Sequence, residues 1–517
     1  MSPDSAPAGS RSPVPGNGAS LSENGATMPT EHKVTIAMLL VAAFTMILNE
    51  TVMNVALRPL MIEFDVTEPT VQWLTTAFML TLATVIPTTG YLMQRFSLRA
   101  MFTAALGLFS LGTGVAAAAV GFEMLLLGRI IQASGTAIML PLLMTTVLTL
   151  VPTERRGVVM GNISIVISVA PATGPALSGF ILHVADWRVL FLTILPIALA
   201  ALLLGRPRLD DTPGTAVGKL SLPSLLLSVP GFGGLVYGIS QLGGGHGTTG
   251  AETDAAGGVD VVAVVVLGLG VLFLVAFALL QIRLQRTGHP LLDLRPLKFT
   301  MYTRALSMML LMMIALFGAI IMLPLFLQTV RGLDTLQTGL LMLPGGILMA
   351  LLAPWVGRLY DKVGPKPLVI PGGAVLVLAL FLMSLLGSHT PEWEVLLLHL
   401  LLSLGLAFLF TPAFTTALNP LPRRLYTHGT ALLNTLQQLA GAIGTALLIA
   451  LMGIGAGAAA SVGAGAEEAT LEGFRTAFRT ASIMALGIIV LGATLRATSA
   501  EEAAGAEAAD EPVSPRG

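Results

Sequence analysis

The stretch Leu48-Asn49-Glu50-Thr51-Val52-Met53-Asn54-Val55-Ala56-Leu57 closes the first long apolar run of the chain, Val34 to Leu57, and its reading decides the fold. A run of this length suffices to cross a bilayer. An ionisable side chain inside such a run is costly to bury, so Glu50 reads as a functional residue. The run is too long for the apolar core of a cleaved signal peptide, and it is expected to remain as helix 1.

Composition agrees. The chain has 517 residues, 54% hydrophobic and 11% charged, with a mean hydropathy of +0.85. Soluble globular domains carry about 25% charged residues, so this is an integral membrane protein. The absence of cysteine excludes disulfides, iron–sulfur clusters and thiolate metal sites. The seven histidines, among them His183, His389, His399 and His428, lack metal-ligand spacing, and no metal is expected. A formal charge of -1 gives no reason to expect a nucleic-acid partner. The nearest approach to a phosphate loop, Gly214-Thr215-Ala216-Val217-Gly218-Lys219-Leu220, is one residue short and lacks the Ser or Thr that would hold magnesium.

Runs of about 20 apolar residues recur near 73–93, 100–120, 123–148, 157–182, 187–205, 220–241, 259–282, 305–328, 337–358, 367–387, 395–418, 428–455 and 478–496. With helix 1 they predict an all-α protein of fourteen transmembrane helices. If the N-terminus is cytoplasmic, the inner loops hold seventeen Lys and Arg, including Arg95, Arg99, Arg155, Arg156, Arg358 and Lys362. The outer loops hold five: Arg58, Arg188, Arg331, Arg475 and Arg479. This bias places both termini in the cytoplasm of a multi-pass cell inner-membrane protein. Residues 1–31 and the acidic 497–517 read as disordered tails, and 242–258 as a flexible outer loop.

Helix 4 carries Leu127-Gly128-Arg129-Ile130-Ile131-Gln132-Ala133-Ser134-Gly135. Arg129 cannot deprotonate, so inside a span it needs a carboxylate, carbonyls or water. Counted from the predicted helix ends, Glu50 and Arg129 lie roughly 6 to 9 Å below the outer boundary, a depth at which they can pair. Burial favours the neutral acid and a neighbouring guanidinium favours the carboxylate. The alternative has Glu50 reaching outside water and Arg129 bonding helix-end carbonyls.

Helix 5 carries Ala170-Pro171-Ala172-Thr173-Gly174-Pro175-Ala176-Leu177-Ser178-Gly179. Small residues four apart at Ala170, Gly174 and Ser178 allow close approach to a neighbouring helix, and Pro171 and Pro175 each remove a backbone donor. Such a helix suits a moving interface, and equally ordinary close packing. The loops Gly90-Tyr91-Leu92-Met93-Gln94-Arg95-Phe96-Ser97-Leu98-Arg99 and Gly357-Arg358-Leu359-Tyr360-Asp361-Lys362-Val363-Gly364-Pro365-Lys366 share a Gly-to-basic pattern in separate halves. That is the weak internal symmetry of a transporter built from repeats.

These stretches resemble the major facilitator superfamily, in particular its fourteen-span drug–proton antiporters of the lincomycin and multidrug exporter type. The resemblance runs from 34 to 496. It rests on the loop after helix 2, on Arg129, Gln132 and Gly135, and on Gly174-Pro175 with Gly179. Asp186-Trp187-Arg188 before helix 6, Gln337-Thr338-Gly339-Leu340 opening helix 10, and Asn434, Gln437 and Gln438 in helix 13 add to it.

The resemblance implies two pseudo-symmetric six-helix bundles, 32–205 and 301–496, flanking inserted helices 7 and 8 with their linkers at 206–300. Helices 1, 4, 9 and 12 would line a central cavity. Candidates for its walls are Asn54, Gln132, Met312, Phe317, Gln328, Asn434 and Gln438. Methionine-rich helix 9, with Met308, Met309, Met312, Met313 and Met322, suits a pocket for several apolar shapes, although methionine is also ordinary membrane filler. The conformational motifs would be Gly90, Arg95, Arg99, Pro171, Gly174, Pro175, Gly179, Gly357, Asp361 and Lys362.

Two departures stand out. Gln94 occupies a position where the family has an aspartate, so one cytoplasmic gating contact is expected to be missing. Many relatives carry the helix 1 acid at the position of Asn49, and Glu50 is one residue later, about 100° around the helix. A branch of the family writes Asn-Glu-Thr here, so Glu50 is expected to be the replacement acid, with Arg129 as its partner.

The implied function is multidrug efflux. A secondary transporter would export apolar or weakly cationic small molecules in exchange for protons, with no cofactor beyond the proton gradient. The partners would be the lipid bilayer, drug-like substrates and protons, and a monomer is expected. An exporter of one metabolite or lipid, an importer, and a non-transport membrane protein stand as alternatives. No Ser/His/Asp or metal constellation recurs at membrane depth, so an enzyme is not expected.

Overall fold

The computed structural model describes residues 29–152, 155–209, 221–244, 261–286 and 290–496. The C-terminal tail, most of the N-terminal tail and the loop from residue 245 onward lie outside the described residues.

The first half contains α1 (Thr30–Glu63), α2 (Glu68–Arg95), α3 (Leu98–Ala117), α4 (Phe122–Leu150), α5 (Arg156–Val184) and α6 (Arg188–Gly205). The inserted pair is α7 (Leu222–Gly244) and α8 (Val261–Leu284). The second half contains α9 (Thr300–Thr329), α10 (Thr335–Val363), α11 (Lys366–Met383), α12 (Glu392–Leu418), α13 (Tyr426–Ser461) and α14 (Ala466–Thr494). All 14 are long and apolar enough to cross a membrane. Within a bilayer only helices or closed barrels satisfy every backbone group, and the described residues form no strand.

Local chemistry sets several helix ends. Ser97 caps α3 by accepting from Ala100 N. Asp334 caps α10 by accepting from Gln337 N at 2.7 Å, while Gln337 Oε1 accepts from Asp334 N at 3.1 Å. This reciprocal pair satisfies two amides that the helix leaves free, and it gives the Gln337 motif a structural role. Gly364, at φ 74°, turns the chain between α10 and α11. Two sequence boundaries shift. α1 continues through Pro59 to Glu63, six residues beyond the predicted run, and the alanine-rich segment after residue 455 stays helical to Ser461.

The two halves repeat one packing scheme. In the first, α1 packs on α5, α3 on α4, α2 on α4 and α3 on α6. In the second, α9 packs on α13, α11 on α12, α10 on α12 and α11 on α14. Contacts between the halves repeat as well: α5 meets α10 as α13 meets α2, and α4 meets α13 as α12 meets α5.

The α5–α10 seam is a backbone contact. Gly357 packs directly on Gly157 O, and a Cβ at Gly161 would come within 2.5 Å of Ala353 O. Without a strong hydrophobic drive between helices in lipid, such close approach is what makes a membrane seam. At one end of the molecule, here termed the basic end, lie the α2–α3 and α10–α11 loops. At the opposite, acidic end, arginines staple each half internally. Arg188 pairs with Glu63 (3.6 Å) and Asp186 (3.4 Å) and donates to Ala119 O (3.1 Å). In the second half Arg331 donates to Ser388 O, and Arg475 donates to Leu386 O at 3.0 Å.

A Cβ at position 357 meets backbone that no rotamer change relieves. Gly357→Ala is predicted to lower stability by on the order of 1–3 kcal/mol. Thermal unfolding in detergent checks this against Gly107→Ala, where nothing lies within 4 Å and no change is expected.

Candidate functional site

Glu50 lies well inside α1. Because α1 runs on to Glu63, Glu50 is more than three turns from the helix terminus, about 20 Å along the axis at roughly 1.5 Å per residue. Arg129 is only about 10 Å from the start of α4 on the same measure. Arg188 ties Glu63 at the end of α1 to the α3–α4 turn. The ion pairs within 4.0 Å among the described residues do not include Glu50 with Arg129.

Arg129 is 1% exposed and finds its partners elsewhere. It donates to Gln132 Oε1 at 2.6 Å and to Leu74 O of α2 at 3.5 Å, and its guanidinium lies 4.1 Å from the centre of the Phe78 ring. Gln132 passes the chain on, donating to Thr113 Oγ1 of α3 at 2.8 Å. Three residues apart on one helix face, Arg129 and Gln132 form a fixed unit. Gln132 is fully buried and links Arg129 to α3. Gly112 and Gly128 make room for it by letting the α3 and α4 backbones touch.

The small face of α5 meets α1 beside Glu50. Thr51 Oγ1 packs directly on Gly174 and donates to Ala170 O at 3.4 Å, and Ala170 and Ser178 are completely buried. Any side chain at position 174 would strike Thr51, the neighbour of the acid. Pro171 is half-buried, and Gly179 lies at the acidic end, where an added Cβ would be 4.0 Å from Leu336 of α10. The side chains of Asn54 and Pro175 lie outside the described residues.

At the basic end the halves are hydrogen-bonded together. Asp361, at the end of α10, accepts from Gly157 N at 3.0 Å and from Val158 N at 3.2 Å. These amides open α5 and have no intrahelical acceptor, and the helix dipole favours an anion there. At the pseudo-symmetric position Gln94 donates to Thr427 Oγ1 of α13 at 3.2 Å. The contact expected to be missing is therefore present, in neutral form. Gly90 lets α2 approach α13, since a Cβ there would lie 2.8 Å from His428 Nδ1. Arg99 donates to Leu209 O at 2.9 Å, and Arg95 and Lys362 are exposed.

One residue joining the two halves at the basic end was read from sequence only as a loop charge. Arg156 is 6% exposed and donates to Leu148 O (2.7 Å) and Val151 O (3.2 Å) at the end of α4, to Asn419 Oδ1 (3.2 Å) after α12, and to the Tyr426 hydroxyl (3.1 Å). It ties both halves together without a carboxylate. A cation in the first turn of a helix opposes the dipole, and that mismatch was the available signal. Further in, Thr145 bonds Thr430 (2.8 Å), Ser164 bonds Thr411 (3.0 Å), and Asn434 donates to Thr430 O (2.8 Å) and to Met144 Sδ (3.6 Å).

The remaining cavity candidates are dispersed. Met312 is completely buried, Phe317 packs on Gly441, Gln438 is half-buried, and Gln328 is exposed in the last turn of α9. The structure is closed at the basic end, and buried Met312 and Asn434 serve packing in this state. Surface hollows at the acidic ends of α9, α13 and α14 and between α11 and α14 do not touch Glu50.

Residues 39–445 match the family model described as Major Facilitator Superfamily. The chain belongs to this superfamily. Among its members it is 38% identical over 435 residues to the lincomycin resistance protein LmrB of Bacillus subtilis, covering 84% of this chain and 88% of that one. It is 37% identical over 468 residues to the MFS-type transporter YcnB of the same organism, covering 90% and 96%. The Multidrug resistance protein B homolog of Mycobacterium tuberculosis is 28% identical, covering 78% and 73%. Solved superfamily structures share the fold at 16% identity. The human organic anion transporter MFSD10 superposes at a TM-score of 0.63 over 90% of this chain and 100% of its own. The proton:xylose symporter XylE does so at 0.64 over 93% and 99%. This superfamily member is thus a multi-pass membrane transporter related to drug-resistance proteins.

Asp361→Asn removes the charge that holds the α5 amides. It is predicted to weaken closure of the basic end by on the order of 1–2 kcal/mol, roughly 5- to 30-fold in the open-to-closed ratio. Labelling of a cysteine placed at Ser164, which is buried beneath the gate, checks this; unchanged labelling refutes it. Gly174→Val is predicted to displace α1 at Thr51 and abolish transport while the protein still reaches the membrane, read by export assay and immunoblot.

Proposed function

We propose that this transporter exports apolar or weakly cationic small molecules in exchange for protons by alternating access, with its basic end facing the cytoplasm. The observation that carries the reading is the placement of Glu50. Among the described residues it is the carboxylate farthest from any helix end. It stands at the α1–α5 contact, and it faces the field of a buried arginine that is already bonded elsewhere. An acid not locked in an ion pair can exchange its proton, and membrane acids of this kind mark proton pathways. The names of relatives, lincomycin resistance and multidrug resistance, support drug-like substrates, and the excess of arginine and lysine at the basic end supports the orientation.

In the proposed cycle the deprotonated Glu50 favours the inward-open, substrate-loaded cavity. Breaking the Asp361, Gln94 and Arg156 contacts opens the cytoplasmic gate, and their re-formation closes it behind the substrate. Protonation of Glu50 from outside releases the substrate and resets the carrier. Protons move inward down their gradient as substrate moves out.

The experiment is drug-induced proton movement in inverted membrane vesicles, using lincomycin and a panel of apolar compounds, with the intact protein and with Glu50→Gln. The expected outcome is proton release from the vesicle lumen by the intact protein, reduced to background in Glu50→Gln while compound binding persists. Equal responses from both proteins would move the proton site away from α1.

A further inference from the structure

The inserted helices have no counterpart in the repeated packing of the two halves. Their position shows what they do. α7 packs against both α2 and α13, the pair whose contact at the basic end consists of Gly90 against His428 and the Gln94–Thr427 hydrogen bond. The opposite seam, α5 with α10, is sealed by its own backbones. α7 therefore lies along the looser of the two seams between the halves.

α7 and α8 are one body. A Cβ at Gly234 would come 3.1 Å from Gly270 Cα, and one at Gly238 would come 2.7 Å from Leu267 Cβ. Phe232 meets Phe277 edge-on at 5.9 Å. At the basic end Gln281 of α8, completely buried, donates to Ser224 Oγ of α7 at 2.9 Å and accepts from Leu291 N at 2.8 Å and Leu292 N at 3.3 Å. The linker so held is itself fastened to the second half. Asp293 N donates to His428 Nδ1 at 3.3 Å, and Tyr302, just beyond the linker, donates to Gly429 O at 2.8 Å. Toward the first half the contacts are of another kind: Trp73 of α2 stacks on Tyr237 at 5.8 Å, and a Cβ at Gly233 would lie 3.8 Å from Thr84 Cγ2. Directional hydrogen bonds fasten the linker after α8 to the second half, and the contacts with α2 include a ring stack and a methyl contact.

We propose that α7 and α8 form a strap carried by the second half, which slides over α2 and keeps the α2–α13 seam covered on its lipid side while the basic end opens. The proposal rests on the alternating-access reading above. Its consequence is that substrate passes through the ends of the carrier rather than sideways through this seam.

Because the chain contains no cysteine, spin-label pairs can be introduced at exposed positions of the full-length protein without background. Phe96 marks α2, Arg283 marks α8 and Arg423 marks the start of α13. Distances from pulsed electron–electron resonance are compared with the gate intact and with it weakened by Asp361→Asn or, independently, by Gln94→Ala. The Phe96–Arg423 distance reports gate opening. The expected result is that Phe96–Arg283 lengthens together with it while Arg283–Arg423 stays constant. A constant Phe96–Arg283 with a lengthening Arg283–Arg423 places the strap on the first half and overturns the proposal, as does lengthening of all three. If Phe96–Arg423 changes under neither variant, alternating access at this gate fails first, and the strap with it.

Discussion

The carboxylate of Asp361 on the two free amides of α5 is the contact against which the rest of this carrier is set. A helix N-terminus offers unpaired donors and a partial positive charge, and a charged acceptor forms stronger bonds there than a neutral one. Directly beneath it, Gly157 and Gly357 bring the α5 and α10 backbones together. The pseudo-symmetric position is occupied by Gln94, whose amide reaches only the Thr427 hydroxyl. Two sides of the same closure thus differ in strength, and the inserted pair lies over the weaker side.

Buried arginines in this protein are satisfied without ion pairs. Arg129 has Gln132, a carbonyl and the face of Phe78; Arg156 has helix-end carbonyls, Asn419 and Tyr426. Breaking a buried ion pair leaves an uncompensated charge and is strongly unfavourable. Neutral partners let the same cation hold its place while nearby groups change state. For Arg129 this leaves Glu50 under a fixed positive field yet not clamped by it. For Arg156 it makes the basic-end lock one that can be broken without leaving an orphaned carboxylate.

Residue patterns alone revealed much of the fold. Fourteen apolar runs, the basic bias of alternate loops and the repeated Gly-to-basic loop follow from the cost of placing backbone and charge in hydrocarbon, which acts on each segment separately. Glu50 and Arg129 stood out for the same reason: a charge in an apolar span is an exception visible without any neighbour. Partner choice was not legible. Gln132 looked like a cavity residue and is a brace for Arg129; Gln94 looked like a lost contact and reaches across to α13; Arg156 looked like a loop charge and joins four chain segments.

The sequence by itself determined that the chain is a bundle of membrane-spanning helices with one acid inside its first apolar run, because length, apolarity and charge are properties of single segments. Only the tertiary structure decided what Arg129 bonds to, since Leu74 O and the Phe78 ring come from α2 and Gln132 is itself held by Thr113 of α3. It also decided which seam is closed by touching backbones and which has α7 packed along it. Close approach between helices is set by pairs of faces, and a glycine records only that something comes near, not what.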